Sequence, residues 1–271
     1  DLANKQIDQQ IEKRGPAVSA AFDGNGDPTK ALLGFARSCG VEDPTSLERL
    51  TSEKGEWVFY RGVQEGKYLH DEIELLVTNS VANLPIDRNM RWGSKRLEFA
   101  RPVHWIVLIY GNEIVPANIL GKATGRTSRG HRFMSDGECT IPSAKDYAAT
   151  LEKASVIVDF EQRQQQILKQ LEDQASFLDA NLELDEALLE EVTALVEFPC
   201  ALSGSFESAF LEIPEEALVS VMKKHQRYFH LTNDKGKLLP NFITVSNLAS
   251  KDPSIVIAGN ERVIRPRLAD A

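Results

Sequence analysis

The amino-acid sequence predicts an α+β protein, in which helices pack on a mixed or antiparallel sheet, preceded by a small N-terminal region. Strand-like and helix-like segments come in clusters, without the regular alternation that builds a doubly wound parallel sheet. In residues 101–120 the dipeptide Gly111-Asn112 separates two apolar runs, which is the strongest hairpin signal in the sequence. Residues 160–178 and 184–196 carry apolar side chains at helical spacing. We expect an N-terminal helix and hairpin region, residues 1–85, followed by an α+β domain, residues 86–271.

In the N-terminal region, the opening residues resemble the end of a polar helix. Residues 27–40 predict a short helix, with Asp27 as the capping residue, Pro28 at the first position and Gly40 ending it in a left-handed turn. Residues 55–69 predict a hairpin, because a glycine-containing break follows an aromatic and β-branched run. A helix is predicted over residues 69–84 and should end at Pro85.

In the larger domain, the hairpin at Gly111-Asn112 comes first. The elements predicted after it are a strand at 155–159, helices at 160–178 and 184–196, a strand at 201–206, a helix at 214–224, strands at 227–232 and 241–246, and a helix from 255 that Pro266 should weaken or end.

The composition is that of an ordinary globular protein, with 42% hydrophobic and 26% charged residues in 271. No apolar run is long enough to span a membrane, and the first residues lack the apolar core of a signal peptide. Cys39, Cys139 and Cys200 are odd in number and far apart, which favours buried thiols in a reducing compartment. Because the sequence does not begin with methionine, we expect a piece of a longer chain.

Positive charge is concentrated in one part of this acidic chain. The formal net charge is −9, yet residues 86–132 contain nine lysines and arginines against three acidic residues. This distribution is what an acidic protein with one anion-binding surface would show. The alternative is that these cations form internal ion pairs with the acidic helices downstream.

Familiar catalytic and metal-binding patterns are absent. Asp23-Gly-Asn-Gly-Asp27 imitates the start of a calcium loop, but Pro28 stands where that loop needs glycine. The five histidines lack the spacing of a zinc helix, and no phosphate-binding glycine loop or nucleophile elbow occurs. We therefore predict no catalytic residue, no metal site and no cofactor in this chain.

Three clusters mix basic and aromatic residues, in residues 90–105, 121–133 and 222–229. In the second, Gly121, Gly125 and Gly130 are expected to let the backbone approach a partner, while arginines of a glycine-rich turn meet phosphates. Such surfaces bind RNA backbones and unstacked bases. The predicted RNA contacts are Arg91, Lys95, Arg96, Arg126, Arg129, His131, Arg132, Lys223, Lys224 and Arg227. For the third cluster, a favourable interaction of cations with a helix C-terminus is the competing explanation.

Several longer strings carry a specific resemblance. They are MRWG (90–93), FARPVHW (99–105), TSRGHRF (127–133), EVTALVEFPCALSGSFESAFLEIP (191–214), MKKHQRYF (222–229) and GNERVIRPRLADA (259–271). In this order they resemble the β subunits of bacterial two-subunit glycyl-tRNA synthetases. The resemblance implies an α2β2 cytoplasmic enzyme, whose α subunit makes glycyl adenylate with ATP and Mg²⁺ and whose β subunit positions tRNA(Gly). It also implies similarity to the editing-type domain in the β chain of phenylalanyl-tRNA synthetase, and a chain that continues well beyond residue 271.

The resemblance favours a role in tRNA positioning, without catalysis by this part of the chain. GNER at 259–262 lacks the alternating glycines that precede it in a class II adenylation motif. Two alternatives stay open: a structural module that assembles the synthetase, and an editing hydrolase acting on mischarged tRNA. Editing gains little for glycine, because glycine is the smallest substrate and a size sieve gains little by admitting larger wrong products.

Overall fold

The computed structural model describes residues 2–52, 55–94 and 96–270, which form two compact units. The first unit ends at Asn89 and includes the short segment Ala117–Leu120. The second contains Met90–Pro116 and everything from Gly121 onward. Antiparallel sheets and several helices make up both units, so the α+β prediction is confirmed at this level. The predicted boundary between an N-terminal region, residues 1–85, and an α+β domain, residues 86–271, stays a prediction.

A three-stranded antiparallel sheet is the centre of the first unit. Its elements in chain order are β1 (Gln9–Ala17), α1 (Val18–Ala21), α2 (Lys30–Ser38), a 3-10 turn (Pro44–Ser46), β2 (Glu48–Ser52), β3 (Gly55–Gln64) and α3 (Leu69–Ala82). The strand order is β1-β3-β2. Ala21, Leu32 and Val58 form its small buried core, which holds α1 and α2 against β3.

Two predictions for this unit are wrong. The opening residues are not the end of a helix, because β1 pairs residue by residue with β3 from Gln9↔Gln64 to Arg14↔Phe59. The hairpin predicted over 55–69 is a single long strand whose partners come from earlier in the chain. The helix at 69–84 is confirmed, and Gly40 has the expected left-handed φ of 70°. The N-cap of α2 is Thr29 rather than Asp27.

Short strands dominate the next stretch of the chain. They are β4 (Met90–Arg91), β5 (Glu98–Phe99), β6 (Ile106–Val107), β7 (Ile109–Tyr110), β8 (Glu113–Ile114), β9 (Asn118–Ile119), β10 (Lys122–Gly125), β11 (Thr127–Arg129) and β12 (Glu138–Thr140). Antiparallel pairs are β4-β5, β7-β8 and β11-β12, whereas β6 and β10 run parallel. Gly111, with φ 60°, makes the tight turn between β7 and β8 that the sequence predicts.

A four-stranded antiparallel sheet organises the rest of the second unit. After a 3-10 turn (Ala144–Asp146), the elements are α4 (Tyr147–Lys153), α5 (Phe160–Phe177), β13 (Asn181–Leu182), α6 (Glu186–Leu195), β14 (Cys200–Ser205), a 3-10 turn (Ser208–Glu212), α7 (Glu215–Val221), a π-helical turn (Met222–Gln226), β15 (Phe229–Thr232), β16 (Leu238–Ser246) and α8 (Pro253–Ala269). The strand order is β13-β15-β16-β14. The strand predicted at 155–159 does not form; there Ser155 has φ 60° and the Ile157 N–H donates to the Glu197 carbonyl.

Both faces of this sheet are covered by helices. Successive strand residues point to opposite faces, and on β16 Ile243 packs with α5 and α6 while Phe242 packs with α7 and α8. The apolar spacing that predicted α5 and α6 is the face that they bury. Helix, sheet and helix therefore form three layers.

Helix α8 continues through Pro266, so it does not end there; that the proline weakens the helix stays a prediction. Ile264 and Leu268 flank the proline and are fully buried, so tertiary packing offsets the lost backbone hydrogen bond. None of the helices in the described part of the chain has the length and apolar character needed to cross a membrane.

His230 on β15 gives this unit a predictable pH dependence. Its ring is buried and its Nδ1 atom has no partner among the described residues. Burial lowers the pKa of His230 below its ordinary value, the nearby Lys223 charge lowers it further, and Glu183 and Asp185 oppose both effects. The unfolded chain therefore binds a proton more readily than the folded one near pH 6.5.

We expect the free energy of unfolding to fall as pH decreases from 7 through 6.5 toward the lowered folded pKa. Chemical denaturation at pH 7.5, 6.5 and 5.5 measures this, with His230→Gln for comparison. The variant should lose part of the decrease; an identical decrease in both proteins would assign it to other groups.

Candidate nucleic-acid interface

The cluster at residues 121–133 is built on a hairpin rather than a glycine-rich turn. Residues Thr127–Arg129 form β11, which pairs with β12 in the register Arg129↔Glu138. Strand geometry alternates the side chains, so Ser128 is buried while Thr127 and Arg129 are exposed. The prediction that a loosened turn presents these arginines is therefore wrong for Arg129, whereas Arg132 does lie in the turn between β11 and β12.

Arg126 has an internal role. Its Nη1 donates to the Pro142 carbonyl at 3.1 Å and its Nη2 to the Asn112 carbonyl at 2.8 Å. A guanidinium that satisfies two carbonyl groups fixes three chain segments together. Among the predicted RNA contacts, Arg126 is therefore tied to the protein itself, although not to an acidic helix.

Arg129 combines an acidic partner with an aromatic one. Its Nη2 lies 3.4 Å from Glu138 Oε1, and both side chains remain at least 60% exposed. Its guanidinium carbon lies 5.5 Å from the centre of the Trp105 ring. Exposed ion pairs contribute only about 0–1 kcal/mol, so Glu138 is a weak competitor for a phosphate.

Arg132 and Phe133 form an open cation and aromatic pair. The guanidinium carbon of Arg132 lies 5.7 Å from the centre of the Phe133 ring, and Phe133 is 75% exposed. No carboxylate in residues 2–52, 55–94 and 96–270 lies within ion-pair distance of Arg132. An exposed phenyl ring beside an unpaired guanidinium offers both a stacking surface and a phosphate donor.

His131 is not available for RNA, contrary to its place among the predicted contacts. It is 2% exposed; its Nε2 lies 2.6 Å from the Asn247 carbonyl, and the Phe133 N–H donates to its Nδ1 at 3.3 Å. Because Nδ1 accepts, the ring proton is assigned to Nε2, which donates to Asn247. The imidazole thus anchors the segment that carries Arg132 and Phe133.

One glycine of this cluster, Gly130, is required by packing inside the protein. A Cβ atom at Gly130 would lie 2.6 Å from Ala154 Cβ and 2.7 Å from its carbonyl oxygen. Gly121 has φ 72°, which glycine adopts without strain. A Cβ atom at Gly125 would meet nothing within 4 Å. The close approach expected with an outside partner is therefore, at Gly130, an approach to Ala154.

The cluster at residues 90–105 contributes a second basic surface. Arg91 on β4 forms an exposed ion pair with Glu98 on β5, with Nε 2.8 Å from Oε1. Arg96 is exposed and forms no ion pair with the described residues. Lys95 lies outside the described residues, so its predicted contact stays a prediction.

The cluster at residues 222–229 is mostly occupied by internal ion pairs. Lys223 Nζ lies 3.2 Å from Asp185 Oδ2, and Arg227 Nε lies 2.9 Å from Glu191 Oε1. Asp185 caps α6 through the Leu188 N–H, which lowers the pKa of its carboxyl together with Lys223. Arg227 itself sits in the left-handed region at φ 57°. Lys224 alone is exposed without a described acidic partner.

Two adjoining cavities lie beside Trp105. The larger, about 550 Å³, is mainly apolar, and Tyr147 and Ile141 line it. The smaller, about 360 Å³, is lined by His104 and Arg129. Ser128 and Trp105 belong to both. The sequence placed Trp105 in a basic cluster but gave no local signal for Tyr147 or Ser128, because tertiary packing alone brings these strands to the start of α4.

The exposed side chains of these clusters suit the binding of an anion. No group of three or more His, Cys, Asp or Glu side chains suited to a metal ion occurs in the described part of the chain. Exposed arginines beside exposed aromatic rings bind anionic, base-bearing polymers through charge and stacking.

The chain is similar to known proteins over its whole length. A family model described as "Glycyl-tRNA synthetase beta subunit" matches residues 1–271. Curated proteins named glycine–tRNA ligase beta subunit match the whole chain: one from Chromohalobacter salexigens at 50% identity, one from Marinobacter nauticus at 49%, and one from Klebsiella pneumoniae at 48%. The chain spans 39% of the length of each of these relatives.

Proposed function

Because the chain belongs to the family of glycyl-tRNA synthetase beta subunits, we propose that it is part of a cytoplasmic glycine–tRNA ligase. In this proposal it helps to bind and position tRNA(Gly) while a partner α subunit makes glycyl adenylate with ATP and Mg²⁺. This part of the chain binds the polynucleotide and performs no bond-making step. The domain that carries the role is the proposed segment 86–271.

The observation that carries the proposal is the pair of cation and aromatic contacts at Arg129–Trp105 and Arg132–Phe133. Each places a guanidinium beside an exposed ring, which suits a phosphate and an unstacked base together. Arg96 and Lys224 add cations without described acidic partners. Arg91 and Arg129 add cations whose exposed carboxylate partners are easily exchanged for phosphate.

A structural role in assembling the synthetase is the second candidate. The ion pairs Lys223–Asp185 and Arg227–Glu191 favour it for the cluster at 222–229. Both roles fit the proposed kinship of segment 86–271 with the editing-type domain in the β chain of phenylalanyl-tRNA synthetase, which the α+β organisation supports. Deacylation of mischarged tRNA finds no assigned nucleophile or base in the geometry above.

Replacing Arg96, Arg132 and Lys224 with alanine in the complete two-subunit enzyme tests the proposal. We expect the KM for tRNA to rise about tenfold, the equivalent of ~1.4 kcal/mol, because three phosphate donors are lost. Glycyl adenylate formation without tRNA should not change, since the variant leaves that chemistry untouched.

The matched control replaces the exposed Lys235, Lys237 and Lys251, which changes the net charge equally within the same unit. An equal rise in KM for both triple variants would show that the change in net charge alone causes the effect. Slower adenylate formation would instead favour the assembly role.

A further inference from the structure

The two cavities beside Trp105 share the wall residues Trp105 and Ser128, and together they make a recess of mixed character. The larger cavity has apolar walls from Ile106, Leu108 and Ile141, and the smaller has polar walls from Thr127 and Arg129. Their volumes, about 550 and 360 Å³, lie in the range of small-ligand pockets. A ligand that fills both needs a flat apolar part and an anionic part.

Aromatic rings line the apolar part without filling it. Trp105 is 43% exposed and Tyr147 is 39% exposed, although both rings belong to the cavity wall. Aromatic rings left open in a recess supply stacking surfaces. Arg129, 5.5 Å from the Trp105 ring centre, puts a positive charge at the border of the two cavities.

Hydrogen-bonding groups line the same recess. Ser128 is only 7% exposed and lines both cavities, so it brings a hydroxyl group to their shared wall. Trp105 lines both cavities as well and adds an indole N–H donor. Both groups belong to the wall of the recess, where the polar edge of an entering molecule can form hydrogen bonds with them.

We propose that this recess binds one unpaired nucleotide of the tRNA 3′ end, with its base between Trp105 and Tyr147 and its phosphate at Arg129. The inference rests on the proposed function and adds to it the place and the chemistry of base recognition. A nucleobase fits because it is flat, stacks on aromatic rings and bonds a hydroxyl through its edge. Single-stranded RNA fits better than a duplex, because only unpaired bases are free to enter.

The test uses the complete two-subunit enzyme and five forms of tRNA(Gly): intact, and with each of the four unpaired 3′ nucleotides made abasic in turn. Loss of the stacked base should weaken binding of one abasic form to the unaltered enzyme about fivefold or more. Trp105→Ala should bind intact tRNA as weakly as that abasic form and should no longer distinguish the two. Ala144→Trp, which narrows the larger cavity from an exposed lining position, should behave similarly without removing a side chain from the cavity wall. Trp57→Phe, in the first unit, is the control and should retain the discrimination.

The outcomes separate this inference from the proposed function. If the unaltered enzyme binds all five tRNAs equally, or if Trp105→Ala still discriminates, the recess is not the base site while tRNA positioning stands. If intact tRNA binding is insensitive to Arg96, Arg132 and Lys224 as well, the proposed function fails together with the inference.

Discussion

Replacing Phe242 with alanine should lower the free energy of unfolding by about 3–5 kcal/mol. Phe242 is fully buried on the central strand β16, and its ring stacks on Tyr228 with centroids 4.4 Å apart. The neighbouring strand β14 has a glycine where the ring packs, and a Cβ atom at Gly204 would lie only 2.6 Å from the tip of the ring. Removing the ring leaves a cavity between the sheet and helices α7 and α8, and a rigid sheet collapses poorly into such a space.

Urea unfolding of the chain followed by circular dichroism measures this loss. Phe177→Ala is the matched control, because Phe177 is 83% exposed at the end of α5. The control should stay within about 0.5 kcal/mol of the unaltered chain. Similar losses at both positions would show that Phe242 does not hold the two layers together.

Gly130→Ala should be the second most damaging of these substitutions, at about 1–3 kcal/mol. The new methyl group would overlap Ala154, including its carbonyl oxygen, and backbone does not rotate away as a long side chain does. The Gly130 N–H also donates to the Gly137 carbonyl at 2.9 Å, which limits how far β11 can retreat. Strain therefore falls on the hairpin that carries Arg129 and on His131 beside it.

Gly125→Ala provides the comparison for that prediction, since a Cβ atom there meets nothing within 4 Å. Thermal unfolding of both variants should show a clear decrease in melting temperature for Gly130→Ala and little change for Gly125→Ala. If Gly130→Ala is as stable as Gly125→Ala, the contact with Ala154 yields more easily than the geometry indicates.

Long amphipathic segments were predictable because their signal is local. The apolar spacing of α5 and α6 is the face that they bury, and Gly111 supplies the backbone conformation that its turn needs. Strand β1 was not predictable, because its residues are mostly polar and exposed and become a strand only through pairing with β3. The helix does not end at Pro266 for a related reason. The packing of Ile264 and Leu268 outweighs the low helix propensity of proline.

In the candidate site, too, the sequence identified residues but not their surroundings in the fold. Composition located the arginines, but it did not distinguish Arg126, which binds two carbonyl groups, from Arg132, which has no described acidic partner. His131 shared their sequence neighbourhood and is buried, because its partner Asn247 comes from more than a hundred residues away. Pairing partners distant in sequence decide which cations are open, and local patterns do not contain them.

Ion pairs with an acidic helix therefore occur in the cluster at 222–229, whereas the described ion pairs of the other two clusters join neighbouring strands. At 222–229, acidic residues of α6 and its cap hold Lys223 and Arg227. At 121–133, the pairing carboxylate is the exposed Glu138 of the neighbouring strand, and Arg132 and Phe133 extend into solvent. This difference places the proposed RNA contacts around Arg129, Arg132 and the two aromatic rings beside them.

Photo-crosslinking to tRNA(Gly) tests that placement most directly. A benzoylphenylalanine in place of Phe133 in the complete enzyme should crosslink to bound tRNA, with a yield that falls as salt is raised. The same photoreactive residue in place of Phe177, equally exposed on another part of the same unit, should give little product. Equal crosslinking at the two positions, or none at Phe133 while tRNA is bound, would contradict the proposed interface.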